Sequence, residues 1–217
     1  MYKISEPIMK KIVLLGVFVL LFSCTKKDVL LPQIPETIVS EVQDHSPIYM
    51  FFEVKGKDTL VDVNRKNSIS STNWLFNIDK RLPLKLIIPE IQKLQAKKES
   101  SVHKSETAEN YFTYMDSKKK TLAFEPFTET VYTMEQPTFG VEVYFDAHSE
   151  LFVDNVKVEK ENLQSYLDSL ESDKPNKFQF CFSKELSFEA YLKNRFLLKK
   201  LNFDTPILQS STIEFIY

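Results

Sequence analysis

The sequence predicts an α+β protein, a two-layer sandwich of sheet and helices, on three observations. Short runs alternate apolar and polar residues with a period of two, as in Val141-Glu142-Val143-Tyr144-Phe145. Between such runs lie stretches with apolar residues at i, i+3, i+4 and i+7, as in Leu163, Tyr166, Leu167 and Leu170. The composition agrees: 18 Phe and 9 Tyr favour strands, and 43% hydrophobic residues supply a core. Three glycines in 217 residues exclude the Gly-rich loops that cradle phosphates. A formal net charge of −2 offers no basic excess, so no nucleic-acid partner is expected.

Along the chain, Lys10 and Lys11 precede the apolar run Ile12–Leu20, and Leu21-Phe22-Ser23-Cys24 follows. A cationic start, an apolar run too short to span a bilayer and a small residue before Cys24 predict a secretory signal over 1–23. The last four residues resemble a bacterial lipobox, so lipidation is expected at Cys24, with the protein lipid-anchored on the periplasmic or outer side of a bacterial membrane. An uncleaved signal anchor is the alternative. Met9, which opens Met9-Lys10-Lys11, is a more natural start than Met1. Residues 24–47 are polar and contain Pro32, Pro35 and Pro47, which predicts a flexible tether.

A first α+β module is expected over 48–136. Ile48–Val54 and Thr59–Val63 read as strands joined by the hairpin turn Lys55-Gly56-Lys57-Asp58. Trp74–Ile78 is a third strand, followed by the turn Asp79-Lys80-Arg81. Leu84, Ile87, Ile88, Ile91 and Leu94 make one helical face, in which Pro89 marks either a kink or the true first turn. After a polar loop, Tyr111–Met115, Leu122–Phe127 and Thr130–Met134 read as strands. A boundary is expected at Glu135–Thr138.

The second module, 137–217, is predicted as strand Val141–Phe145, strand Leu151–Val153, a turn at Asp154-Asn155, and Val156–Val158. A helix to Leu170, strand Phe178–Phe182, a helix over Ser187–Leu201 and strand Thr212–Ile216 complete it. The segment Trp74–Leu82 with its helix parallels Phe178–Leu186 with its helix, so two tandem, diverged copies are expected, with one domain and an accessory sheet as the alternative.

The order of these elements and the stretches VEVYFDAHSELFVDNVKVEKENLQSYLDSL and KFQFCFSKELSFEAYLKNRFLLKKL resemble the periplasmic domain of the ExbD/TolR family of biopolymer-transport proteins. The resemblance covers about 77 residues. It implies an ExbD/TolR-like fold and a protein-interaction role in the envelope. Two departures limit what it carries over. Phe182-Ser183-Lys184-Glu185 lacks the Asp of the family's turn, which Asn77-Ile78-Asp79-Lys80 matches better. The apolar run near the N-terminus holds no acidic residue, so the family's proton-linked motor role is not implied.

No catalytic constellation, cofactor site or metal site is legible. His45, His103 and His148 have no second ligand at metal spacing, and no G-x-S-x-G is present. Cys181 alternates with Phe180 and Phe182 and reads as a buried structural thiol. Asp79 is expected to cap the helix that follows it, with a partner-binding carboxylate as the alternative. The leading expectation is a non-enzymatic, lipid-anchored interaction module. It would take a protein partner, or a second copy as a homodimer, by strand addition at the last strand through Ile213, Phe215 and Ile216. The alternative is a small-molecule or saccharide-binding lipoprotein with an aromatic-lined cleft formed by Trp74, Tyr111 and Tyr114.

Overall fold

A computed structural model of the chain describes residues 27–66, 68–170, 177–202 and 212–217. The leader, Cys24 and the break expected at Asp173–Asn176 lie outside the described residues. The α+β class is as expected, with mixed sheets and, among the described residues, three α-helices.

The first sheet contains β1 (Gln33–Ile34), β2 (His45–Lys55), β3 (Asp58–Asn64), β4 (Asn73–Ile78), β5 (Asn110–Asp116) and β6 (Thr121–Pro126). Strand β2 pairs antiparallel with β3 and parallel with β4, and β4 pairs parallel with β5. Strand β6 returns antiparallel along β5. The second sheet runs β10-β9-β8-β11-β12-β7, from β7 (Val131–Thr133), β8 (Val141–Phe145), β9 (Leu151–Val153), β10 (Val156–Lys157), β11 (Phe178–Phe182) and β12 (Ile213–Ile216). Here β8 pairs antiparallel with β9 and parallel with β11, and β11 pairs parallel with β12. The neighbours β3-β2-β4-β5 and β9-β8-β11-β12 thus run through the same antiparallel, parallel, parallel succession.

Helix α1 (Leu84–Glu99) follows β4, and helix α3 (Phe188–Leu198) follows β11; the short α2 (Leu163–Asp168) precedes β11. The two long helices begin side by side and satisfy each other's first N–H groups. Leu84 N donates to Leu186 O at 3.0 Å and Phe188 N to Leu82 O at 2.8 Å. Lys85 N donates to Lys184 O at 2.8 Å and Glu189 N to Lys80 O at 3.1 Å. These groups are orphans in any helix, so the reciprocal bonds replace ordinary capping at α1, whose N-cap is Pro83 and has no side-chain bond. Asp79, expected as that cap, lies too far upstream and is used elsewhere. Pro89 lies inside α1, which begins five residues earlier.

One hydrophobic core joins both sheets and all three α-helices. Helix α3 runs between the sheets: Tyr191 packs on Phe182 of the second sheet at 5.0 Å and on Phe112 of the first at 6.3 Å. Its side chains are buried on nearly every face, Lys193 being the exposed one. A one-sided stripe, as read from sequence, underestimates its burial.

Residues 27–44 overturn the flexible tether. Pro32 O accepts from Met115 N, Ser117 N donates to Ile34 O, and β1 pairs parallel with β5. Val39 and Phe124 exchange both backbone bonds, and Val42 joins Leu75 and Phe124 in a small cluster on the outer face of the first sheet. The physical reason is that a few apolar residues, Ile34 and Val42 among them, suffice to dock the chain when its backbone groups find sheet partners.

Candidate interaction edge

The β2–β3 hairpin is closed by Gly56 and Lys57, with Lys55 opposite Asp58. Gly56 has a φ of 65° and Lys57 a negative one, the arrangement of a type II′ turn, and nothing lies within 4 Å of a Cβ built on Gly56. Strand β4 accompanies β2 only as far as Met50, so Phe51–Lys55 project beyond it and, among the described residues, have β3 as their sole strand neighbour. A cation covers each face of this overhang. Arg81 lies 4.2 Å from the Phe52 ring on one side, and Lys27 lies 5.9 Å from the Phe51 ring on the other, where Tyr49 and Phe51 stack at 5.8 Å. Lys27 also pairs with Glu53 and with Asp62, the latter at 2.6 Å.

Strand β3 pairs with β2 and, among the described residues, with nothing on its other side. Seven residues therefore present a row of backbone donors and acceptors, flanked by the exposed Val54 (63%) and Leu60 (40%). The other edges are shorter or covered. Strand β10 has two residues and β7 three, while Val39 bridges β6 at Phe124.

The residues expected to bind a partner are placed differently. Strand β12 lies between β11 and β7, and β8 lies between β9 and β11, so neither is a sheet edge. Ile213 is partly exposed, whereas Ile216 is buried. The strand expected at Thr130–Met134 is present as β7 (Val131–Thr133), but it pairs parallel with β12, and that pairing covers the expected edge. Asp79 is fully buried, and its carboxylate accepts from Arg81 N, Nε and Nη2 at 3.1, 2.8 and 2.7 Å and from Leu30 N at 3.2 Å. Burial opposes its charge, but the Arg81 guanidinium and the two backbone N–H groups outweigh that and hold its pKa below the usual value. Cys24 lies outside the described residues.

The aromatic cleft is also overturned. Trp74 and Tyr114 are fully buried on the inner face of the first sheet, and Tyr111 lies on the opposite face, so the three rings do not converge. A cavity of about 450 Å³ does open beside the end of α1, lined by Gln92, Gln95, Lys98, Asn110 and Tyr132 among others. Its Lys98 ammonium is buried, donates to Glu109 O and Asn110 Oδ1 at 3.1 and 3.0 Å and sits 5.0 Å from the Trp74 ring. Burial lowers its pKa to about 8. These contacts occupy the lysine structurally. Cys181 is fully buried, and burial pushes its thiol pKa up, away from reactivity. Among the described residues no three His, Cys, Asp or Glu side chains gather to hold a metal.

The densest polar cluster lies at the contact of the two sheets. Arg195 on α3 donates to Glu125 of β6 at 3.0 Å and to Glu214 of β12, and Tyr191 donates to Glu214 at 2.5 Å. Lys199 adds a bond to Glu125 at 2.8 Å, and Tyr132 meets Tyr191 at 3.1 Å. All of it is buried apart from Lys199, and it joins the two sheets. Comparison with family models, with curated proteins and with solved structures finds no match.

Proposed function

We propose that this protein is a non-enzymatic, lipid-anchored interaction module of the bacterial cell envelope that takes its partner by strand addition at β3. The open seven-residue edge of β3 carries this reading. An added strand gains backbone hydrogen bonds along the edge, and Val54 and Leu60 supply apolar contacts beside it. The lipid anchor rests on the lipobox-like Leu21-Phe22-Ser23-Cys24. The partner is an extended segment of another envelope protein or β3 of a second copy.

The proposal includes an ExbD/TolR-like origin for the module and its duplication. Support comes from the β-β-β-α-β-α-β order of residues 141–217, from the matching neighbour order of the two sheets, and from the reciprocal bonds at the helix starts. Strand ends agree too: Asp79 N donates to Met50 O as Ser183 N donates to Phe145 O.

A photo-crosslinking residue placed at Leu60 in cells should capture a protein, while the same residue at the comparably exposed Leu122 on β6, whose edge Val39 bridges at Phe124, should not. Absence of a product at Leu60, or equal capture at both, would sink the strand-addition reading. Mass spectrometry of the mature N-terminus tests the anchor separately, with acyl groups on Cys24 expected and their loss in Cys24→Ala.

A further inference from the structure

We infer that the β2–β3 hairpin faces the membrane at short range, because the chain is locked to the fold almost immediately after its anchor. The inference rests on the proposed lipidation of Cys24. Lys27 already lies on the outer face of the hairpin, paired with Glu53 and Asp62 and near the Phe51 ring. Three residues reach at most about 10–11 Å when fully extended. Exposed ion pairs are weak, so Lys27 alone is a soft attachment. Leu30 is a firm one: its N–H bonds the buried Asp79 carboxylate, and its carbonyl accepts from Lys80 N at 2.8 Å. Six residues from Cys24 to Leu30 reach at most about 20–22 Å. Paired backbone then continues through Pro32, Ile34 and Val39 to the start of β2 at His45, so no slack exists downstream.

The occupant of this face is therefore a phospholipid headgroup layer. Its closest protein elements are the hairpin overhang and the turn Lys55-Gly56-Lys57, with the exposed Val54 beside it. The open β3 edge is carried to the same height, so a strand that reaches it belongs to a segment close to the membrane surface.

The test uses the full lipidated protein with a thiol-directed fluorophore at Lys57→Cys or, on the β10 edge of the second sheet, at Lys157→Cys; the buried Cys181 is shielded from label. In phosphatidylcholine vesicles carrying headgroup nitroxides, quenching at position 57 should exceed that at 157 severalfold. A Gly-Ser insertion of about 20 residues between Thr25 and Lys26, with an r.m.s. length near ~25 Å, should bring position 57 down to the level of 157. Equal quenching at both positions, or quenching at 57 unchanged by the insertion, overturns the inference while leaving the anchor intact. An unacylated Cys24 by mass spectrometry overturns the inference and the anchor together.

Discussion

Asp79 stands between β4 and α1 and is fully buried. A carboxylate between a strand and a helix ordinarily caps the helix, but α1 begins at Leu84 and its first N–H groups are taken by Leu186 and Lys184 carbonyls. That partner lies a hundred residues away in sequence, so local pattern could not reveal it. Asp79 instead ties Arg81 and the incoming Leu30 to the end of β4. Its pKa is held below the usual 3.8, so its stabilisation is present above pH 3.8 and is lost as pH falls through the lower folded-state value. Asp79→Asn should cost about 1.5–3 kcal/mol at neutral pH, the range for hydrogen bonds to a charged group. Urea unfolding followed from pH 6 down to about pH 2 should show the variant and the parent converging in acid. A gap that persists unchanged at the acid end would mean that packing, and not the charge, is what Asp79 contributes.

Elements were legible where their period matched their burial. Strand Trp74–Ile78 was readable as a short, almost wholly apolar run, buried on both faces, and the helix starting at Leu84 because its apolar residues fall on one face. The strand order was not readable, since β7 is three residues long and its pairing with β12 is set by tertiary contact alone. That is why the edge was expected at Ile213–Ile216, whereas the edge strand proposed for strand addition is β3. In a β-strand, successive N–H groups point to opposite edges, so neighbouring substitutions separate folding from association. Of Thr59→Pro and Leu60→Pro, one removes an N–H bonded to β2 and the other an N–H facing outward. The inward change should lower the thermal midpoint, whereas the outward change should leave it nearly intact yet abolish capture of the partner. Two variants that lose stability and binding in parallel would show that β3 binds nothing along its edge.

At the scale of the whole molecule, the sequence boundary at Glu135–Thr138 separates two similar strand orders but does not separate two cores. Residues 138–217 would leave behind β7, exposing one side of β12, and would lose Glu125, the partner of Arg195. Glu214 would remain buried beside Arg195, and burial already pushes its pKa upward. The rings of Phe188 and Tyr191 would lose their packing on Phe112. Removing one member of a buried ion network costs about 3–5 kcal/mol, and truncating large core contacts costs a similar amount again. A domain's total stability is only about 5–15 kcal/mol, so these losses consume it. The proposed duplication therefore predicts a fused pair and not two independent units. An isolated 138–217 fragment should unfold without a cooperative urea transition, and co-expression with 27–137 should restore one. A fragment that unfolds cooperatively by itself would place the two copies in separate domains and reduce the Arg195 cluster to a contact between them.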